Sequence, residues 1–255
     1  MTTTLPTALA QAIDPVRLSL RAGVTPDAWQ AELLRSPSRQ SILCCSRQSG
    51  KSTTSATMAT HQAVYVPGSL VLVLSPSLRQ SVELYRKIVD VYAALEGEVV
   101  KPEESSALRL ELANGSRIVS LPAKESTIRG FSGAALLLVD EAARVDDAIY
   151  GAVRPMLAVS QGRIVLMSTP FGKRGFFHRE WTEGGADWHR VRVTAAECPR
   201  IPPDWLAAER RRIPDWFARQ EYDVEFVDAE DQLIATDVIR AALSPHITPL
   251  EVTLP

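Results

Sequence analysis

Hydrophobic positions fall into two textures along the chain. Residues 41–45, 70–74, 136–139 and 163–167 form short, nearly unbroken apolar runs. Runs of that length without polar alternation predict strands buried on both faces, as in a parallel sheet. Between them the apolar residues return at helical spacing. Val82, Tyr85, Ile88, Val89 and Tyr92 share one face, and Ile149, Val153, Met156 and Leu157 share another within a helix expected over 146–160. A further helix is expected from Lys51 to about residue 64. Thr25-Pro26-Asp27 reads as a helix start, with Thr25 as N-cap, Pro26 at the first helical position and an acid in the first turn. That helix turns Trp29, Leu33 and Leu34 inward and ends near Ser36-Pro37.

Residues 108–112 and 118–121 alternate instead, around Asn114-Gly115, which predicts a β-hairpin. Strands alternating with helices imply an α/β fold with a mostly parallel central sheet and this hairpin inserted. Residues 1–24 predict one short helix and a loop. Beyond residue 200 two short helices, opened by Pro203-Asp204 and Pro214-Asp215, form a small helical appendage. The chain therefore divides into a core over 1–200 and a smaller segment over 201–255.

Composition changes little in this picture. The 255 residues are 45% hydrophobic and 23% charged, with a formal net charge of −2, which suits a globular domain and neither requires nor excludes nucleic acid. No apolar run approaches the roughly 20 residues of a membrane span, and Met1-Thr2-Thr3-Thr4-Leu5-Pro6 lacks the regions of a signal peptide. Cys44, Cys45 and Cys198 give no disulfide framework and read as reduced thiols.

The candidate chemistry starts where the strand at 41–45 runs into Ser46-Arg47-Gln48-Ser49-Gly50-Lys51-Ser52-Thr53. A strand, a tight loop and a helix opening on Gly-Lys-Ser make a phosphate cradle. Backbone N–H groups and the helix N-terminus face the anion, Lys51 reaches the β- and γ-phosphates of ATP, and the Ser52 hydroxyl ligates Mg²⁺. The usual pattern places a first glycine where this chain has Cys45. Downstream, the strand at 136–139 delivers Asp140 and Glu141 at its carboxyl end, where open α/β sheets bind ligands. Asp140 suits the metal shell, and Glu141 suits a general base acting on the attacking water.

Ser168 and Thr169 end the next buried strand with two hydroxyls that could sense the γ-phosphate, or serve only the turn before Pro170. Gln30 could pair with the adenine edge, a solvated glutamine being the plainer alternative. Arg129, on a glycine-containing loop, and Arg47, inside the phosphate loop, are both candidates to neutralise transition-state charge. Arg79, Arg86, Lys87, Arg109 and Arg117, and the run Arg210-Arg211-Arg212, could contact nucleic-acid phosphates or simply be solvated.

Together these residues resemble the N-terminal ATPase domain of the large terminase subunit, the DNA-packaging motor of tailed bacteriophages. The matching features are Trp29-Gln30, the variant loop Ser46-Arg47-Gln48-Ser49-Gly50-Lys51-Ser52 and Leu74-Ser75-Pro76-Ser77. They continue with Asn114-Gly115-Ser116, Ile128-Arg129-Gly130, Leu138-Val139-Asp140-Glu141-Ala142, Ser168-Thr169-Pro170 and Gln220-Glu221-Tyr222 with Glu225-Phe226. The family's phosphate loop also lacks the first glycine and carries an arginine, so Cys45 fits.

The resemblance implies a RecA-like, ASCE-type P-loop NTPase fold, a helical lid over 201–255 and a linker toward a nuclease domain that this chain is expected to lack. It implies that ATP hydrolysis with Mg²⁺ drives double-stranded viral DNA into a procapsid, without cleavage activity. Gln30 would read adenine and Ser168-Thr169 would couple hydrolysis to movement. Arg129 would be the trans arginine finger, with Arg47 the cis alternative. Implied partners are double-stranded DNA, the portal protein, the small terminase subunit and further copies in a ring, usually of five, in the cytoplasm of the bacterial host. The alternatives are a helicase-like remodeller, for which a second RecA-like domain is expected, and a non-hydrolysing ATP-dependent clamp, which has no need of Glu141.

Overall fold

In the computed structural model the described residues are 5–95, 102–106, 108–128, 130–228 and 236–243. The helices are α1 Leu5–Ile13, α2 Pro15–Arg21, α3 Ala28–Arg35, α4 Lys51–Tyr65, α5 Leu78–Ala93, α6 Glu125–Ile128, α7 Asp147–Val153, α8 Gly175–Glu183, α9 Pro203–Arg210, α10 Asp215–Glu221 and α11 Thr236–Ala242. The strands are β1 Gln40–Cys45, β2 Leu70–Ser75, β3 Pro102–Ser105, β4 Arg109–Leu112, β5 Arg117–Pro122, β6 Leu136–Asp140, β7 Arg163–Ser168 and β8 Trp188–Val193. They join in one sheet ordered β3-β4-β5-β2-β6-β7-β1-β8. From β5 to β8 every neighbouring pair is parallel, and β3 and β4 extend the edge antiparallel.

Each continuous apolar run splits its side chains between two cores, as the two-residue period of a strand requires. Leu43, Cys45, Val71, Val73, Leu136, Leu138, Val165 and Met167 pack with α2, α3, α4 and α5 on one face. Ile42, Cys44, Leu70, Leu72, Leu74, Leu137, Val139, Ile164 and Leu166 pack with α7 and α8 on the other. Burial pushes the thiols of Cys44 and Cys45 up, that of Cys45 to about 12, so these are packing residues rather than nucleophiles.

Helix α4 leads away from the phosphate loop and is buried over much of its girth, which its small residues Ser55, Ala56, Thr57, Ala59, Thr60 and Ala63 permit. The hydroxyl of Ser55 is satisfied by the Lys51 carbonyl, at 3.0 Å. The far end of α4 is held by the hairpin turn. Asn114 Nδ2 donates to the carbonyls of Ala63 at 2.9 Å and Val64 at 3.2 Å, and Ser116 Oγ donates to the Val66 carbonyl at 3.1 Å. Gly115 takes a positive φ of 81° in that turn, a region where glycine carries no Cβ penalty.

Several sequence expectations shift. The inserted hairpin joins the central sheet, because β5 pairs in parallel with β2 along its whole length. The N-cap of α3 is Asp27 rather than Thr25. Gln30 Oε1 accepts from the Asp27 backbone N–H at 2.7 Å and fixes the start there. Among the described residues of the N-terminal segment there are two helices rather than one, with the Asp14 carboxylate capping α2 through the Val16 N–H at 3.1 Å. The helix expected over 146–160 stops at Val153 and continues as a 3-10 turn from Arg154 to Leu157. Pro155 removes the N–H that would continue it. Both short helices past residue 200 are present as α9 and α10, packed around Ala195, Leu206, Ala218 and Tyr222.

Because Asn114 satisfies two helix-terminal carbonyls, Asn114→Ala is expected to lower the unfolding free energy by about 1–2 kcal/mol. Denaturant titration measures this, and an unchanged midpoint would rule out the clasp.

Candidate active site

Parallel register sets the geometry of the site. Cys44 of β1 lies opposite Ser168 of β7, and Met167 of β7 lies opposite Asp140 of β6, so three adjacent strands end in one row. The phosphate loop leaves β1, Asp140 closes β6, and Ser168 closes the strand between them.

The loop is shaped by two left-handed residues, Gln48 at φ 60° and Gly50 at φ 97°. The φ favours glycine at position 50, and a Cβ there would also displace the Gln30 amide, whose Nε2 would lie 2.5 Å away. The N–H groups of Gln48, Ser49 and Gly50 donate to no backbone carbonyl among the described residues. Ser46 and Arg47 differ from that reading. The Ser46 N–H continues the β1–β8 ladder to the Val193 carbonyl at 2.8 Å, and the Arg47 N–H reaches the Glu221 carbonyl at 3.4 Å. These two N–H groups belong to the scaffold rather than to the cradle.

Lys51 is buried, and its ammonium donates to the carbonyls of Ser46 at 3.0 Å and Cys45 at 3.3 Å. It faces Asp140, which is only 7% exposed and whose Oδ1 has no hydrogen-bond partner among the described residues. Burial, reinforced by the neighbouring Glu141 charge, pushes the Asp140 carboxyl up to about 6, against the opposing pull of Lys51. A buried carboxylate oxygen left unpartnered at a strand end suits a hard divalent cation, and Ser52, which lines the same cleft, could offer a second oxygen ligand. Glu141 sits in a left-handed conformation at φ 48° and ψ 43°. That is strained for a residue with a Cβ, and strain of this kind concentrates at functional sites. Ser168 Oγ lies 3.4 Å from Glu141 Oε2 and donates at 2.7 Å to the Thr169 carbonyl. Thr169 is buried, its Oγ1 unpartnered among the described residues.

A cleft of about 990 Å³ opens over this row, lined by the phosphate loop and Ser52-Thr53, by Gln80 and Lys87 of α5, by Glu141 and Arg144, and by Arg200, Pro202, Trp205 and Tyr222. The structure thus brings together Arg47, Gln48, Ser49, Gly50, Lys51, Ser52, Thr53 and Glu141 around one space, with Asp140 and Ser168 beneath. Gln30 is buried beside the loop, with Nε2 on the Gly50 carbonyl at 3.3 Å and Oε1 on Asp27. Arg129 lies outside the described residues.

Three further residues at this site were given no role by the sequence, Glu221 being noted only within the resemblance. Arg200 forks onto Asp27 at 2.7 and 2.8 Å and donates to the Ser49 carbonyl at 2.6 Å, bracing the loop. Arg144 lies 3.5 Å from Glu141 Oε2 and 3.7 Å from Glu221 Oε1, with its guanidinium over the Phe171 ring at 4.5 Å. Glu221 is 1% exposed and pairs with Arg47, which its hydrogen bond holds firmly charged. The three-residue spacing of Glu141 and Arg144 was a local signal, and nothing local pointed to Arg200. Lys87, read as a residue that could contact nucleic-acid phosphates or simply be solvated, lines this cleft.

The raised Asp140 carboxyl has a direct consequence for stability. The folded chain keeps this proton up to pH about 6, while the unfolded chain releases it near 3.8. The folded state therefore binds more protons in that window and loses stability as pH rises through it. In metal-free buffer Asp140→Asn is expected to melt above wild type at pH 7.5, with the gap closing towards pH 4. Melting curves across that range check this, and a gap independent of pH would contradict it.

Among known proteins, residues 42–241 match the family model for the large terminase subunit, T4likevirus-type, N-terminal. The large terminase subunit of Thermus virus P23-45 is 26% identical, the match covering 84% of this chain and 51% of that protein, and its Escherichia phage T5 counterpart is 27% identical with the same coverage. This chain thus spans about half the length of these relatives. The large terminase ATPase domain of Thermus phage P74-26 superimposes with a TM-score of 0.72 at 23% identity, covering 82% of this chain and 97% of that one. The large terminase of a thermophilic bacteriophage, solved in complex with ADP, superimposes at 0.63 with 13% identity, covering 79% of this chain and 54% of that one. The core architecture is that of large terminase ATPase domains, and the chain belongs to the T4likevirus-type family of large terminase subunit N-terminal regions.

Proposed function

We propose that this chain binds ATP with Mg²⁺ and hydrolyses it to drive double-stranded viral DNA into a procapsid. One observation carries the reading. The buried Asp140 oxygen without a protein partner among the described residues lies across from Lys51 on the phosphate loop, next to a strained Glu141. A structural ion pair would satisfy that oxygen, whereas a nucleotide-metal site needs it available. Family membership and the ADP complex of the thermophilic-phage terminase support the same reading.

In this mechanism Lys51 exchanges its two loop carbonyls for the β- and γ-phosphates, and the free N–H groups from Gln48 to Gly50 cradle them. The Ser52 hydroxyl and the Asp140 carboxylate would hold the metal, which when bound would supply charge neutralisation on the phosphate oxygens. Glu141 orients the attacking water and accepts its proton, held between Ser168 and Arg144. Arg47 stands at the cleft in cis, and Arg129 is assigned the trans role from a neighbouring subunit. Ser168 and Thr169 pass the change at the γ-phosphate to β7 and the loop after it. Gln30 keeps one Nε2 hydrogen and one Oε1 lone pair for an adenine edge after its bonds to Gly50 and Asp27. Helices α9 and α10 act as the lid. Portal protein, small terminase subunit and a ring of five copies belong to the same proposal, as does work in the host cytoplasm on the procapsid.

The test is Mg²⁺-dependent ATP turnover. Glu141→Gln is expected to lower kcat by about 10²–10⁴-fold while ATP binding changes little. Lys51→Ala is expected to lose both. Turnover in Glu141→Gln equal to wild type would remove the assigned base.

A further inference from the structure

Glu221 closes α10, 174 positions along the chain from Arg47, yet it reaches the phosphate loop. Its carboxylate is 2% exposed, and a carboxylate that deeply buried is strongly destabilising without partners. Its ion-pair partners are both arginines that line the nucleotide cleft. Oε2 receives Arg47 Nε, and Oε1 lies 3.7 Å from Arg144 Nη2. The backbone takes part as well, since the Glu221 carbonyl accepts the Arg47 N–H at 3.4 Å. Side chain and main chain of one residue therefore fix the same loop position.

The connection continues in both directions. Arg144 divides itself between Glu221 and Glu141 Oε2, so an alternating line of charge runs Glu141, Arg144, Glu221, Arg47 along the wall of the cleft. The preceding residue, Gln220, is buried and accepts the Gly172 N–H at 3.2 Å, which ties the same turn of α10 to the loop after Ser168 and Thr169. A purely structural ion pair needs one cation. Here one buried acid is shared by two cations that come from separate elements and converge on a single space.

We propose that Glu221 is a positioning residue for ATP hydrolysis, holding Arg47 and Arg144 on the cleft wall with their guanidinium groups oriented towards the phosphates. This rests on the ATPase reading of the site. Arginines already oriented lose little freedom when charge develops on the transferred phosphoryl group, whereas free ones must be ordered at that moment. Removing the acid therefore weakens the transition state more than the bound ground state, and the loss falls on kcat rather than KM.

The experiment measures kcat, KM and melting temperature for wild type, Glu221→Gln and Glu221→Asp, alone and combined with Arg47→Ala or Arg144→Ala. Glu221→Gln is expected to lower kcat by about tenfold or more with KM within about threefold, and Glu221→Asp, which keeps the charge, to recover at least about threefold of that loss. In either arginine variant the glutamine substitution is expected to cost clearly less than in wild type, because the group it positions is gone. Where the glutamine variant does not fold, Glu221→Asp carries the same cycle, with a smaller loss that again shrinks in the arginine variants. Equal fold losses in all backgrounds, or wild-type kcat in Glu221→Gln, would overturn the assignment and leave Glu221 a docking contact for α10. A wild-type chain inert towards ATP would instead overturn the ATPase reading and this proposal with it.

Discussion

Asp140 is held 7% exposed at the end of β6, and a carboxylate in that position cannot ionise comfortably without positive charge close by. Most of the site answers that constraint. Lys51 is buried on the facing loop although lysine is rarely buried, and its ammonium is anchored to the carbonyls of Cys45 and Ser46 rather than left free. The two groups come within influence of each other because β6, β7 and β1 run parallel and end in register. With an antiparallel strand among these three, one of the carboxyl ends would lie at the opposite edge of the sheet.

Around this pair the loop is braced from outside its own stretch of sequence. Arg200 ties the Ser49 carbonyl to Asp27, Gln30 ties the Gly50 carbonyl to the start of α3, and Glu221 ties Arg47 to α10. Three separate segments therefore meet this one loop. Two left-handed residues, Gln48 and Gly50, let the loop turn tightly along the wall of the cleft, and the strained Glu141 lines the same space. The loop is thus in direct contact with the start of α3 and with the C-terminal helical segment, and that segment reaches the loop after β7 through Gln220 and Gly172.

What was legible in the sequence follows from where the information lies. The strands buried on both faces announced themselves as continuous apolar runs, and β1, β2, β6 and β7 lie within a residue or so of the positions read. The edge strand β8 did not. Its Trp188-His189-Arg190-Val191-Arg192-Val193 carries half-buried His189 and Arg190 and an exposed Arg192 at an edge, and lacks such a run. Local proline and capping chemistry moved the helix ends, at Asp27 and at Pro155. The phosphate loop and the acidic pair could be read because each is contiguous. Arg200 with Asp27 and Glu221 with Arg47 could not, since those partners are 173 and 174 positions apart and no periodicity links them.

On the proposed reading, Lys51 and Asp140 are arranged for a metal-bound nucleoside triphosphate. A structure of this chain with Mg²⁺ and ATP-γ-S tests it most directly. Lys51 Nζ is then expected to leave the Cys45 and Ser46 carbonyls for the β- and γ-phosphate oxygens, with the metal between Ser52 and Asp140. Nucleotide bound with Lys51 still on those carbonyls and Asp140 clear of the metal shell would contradict it.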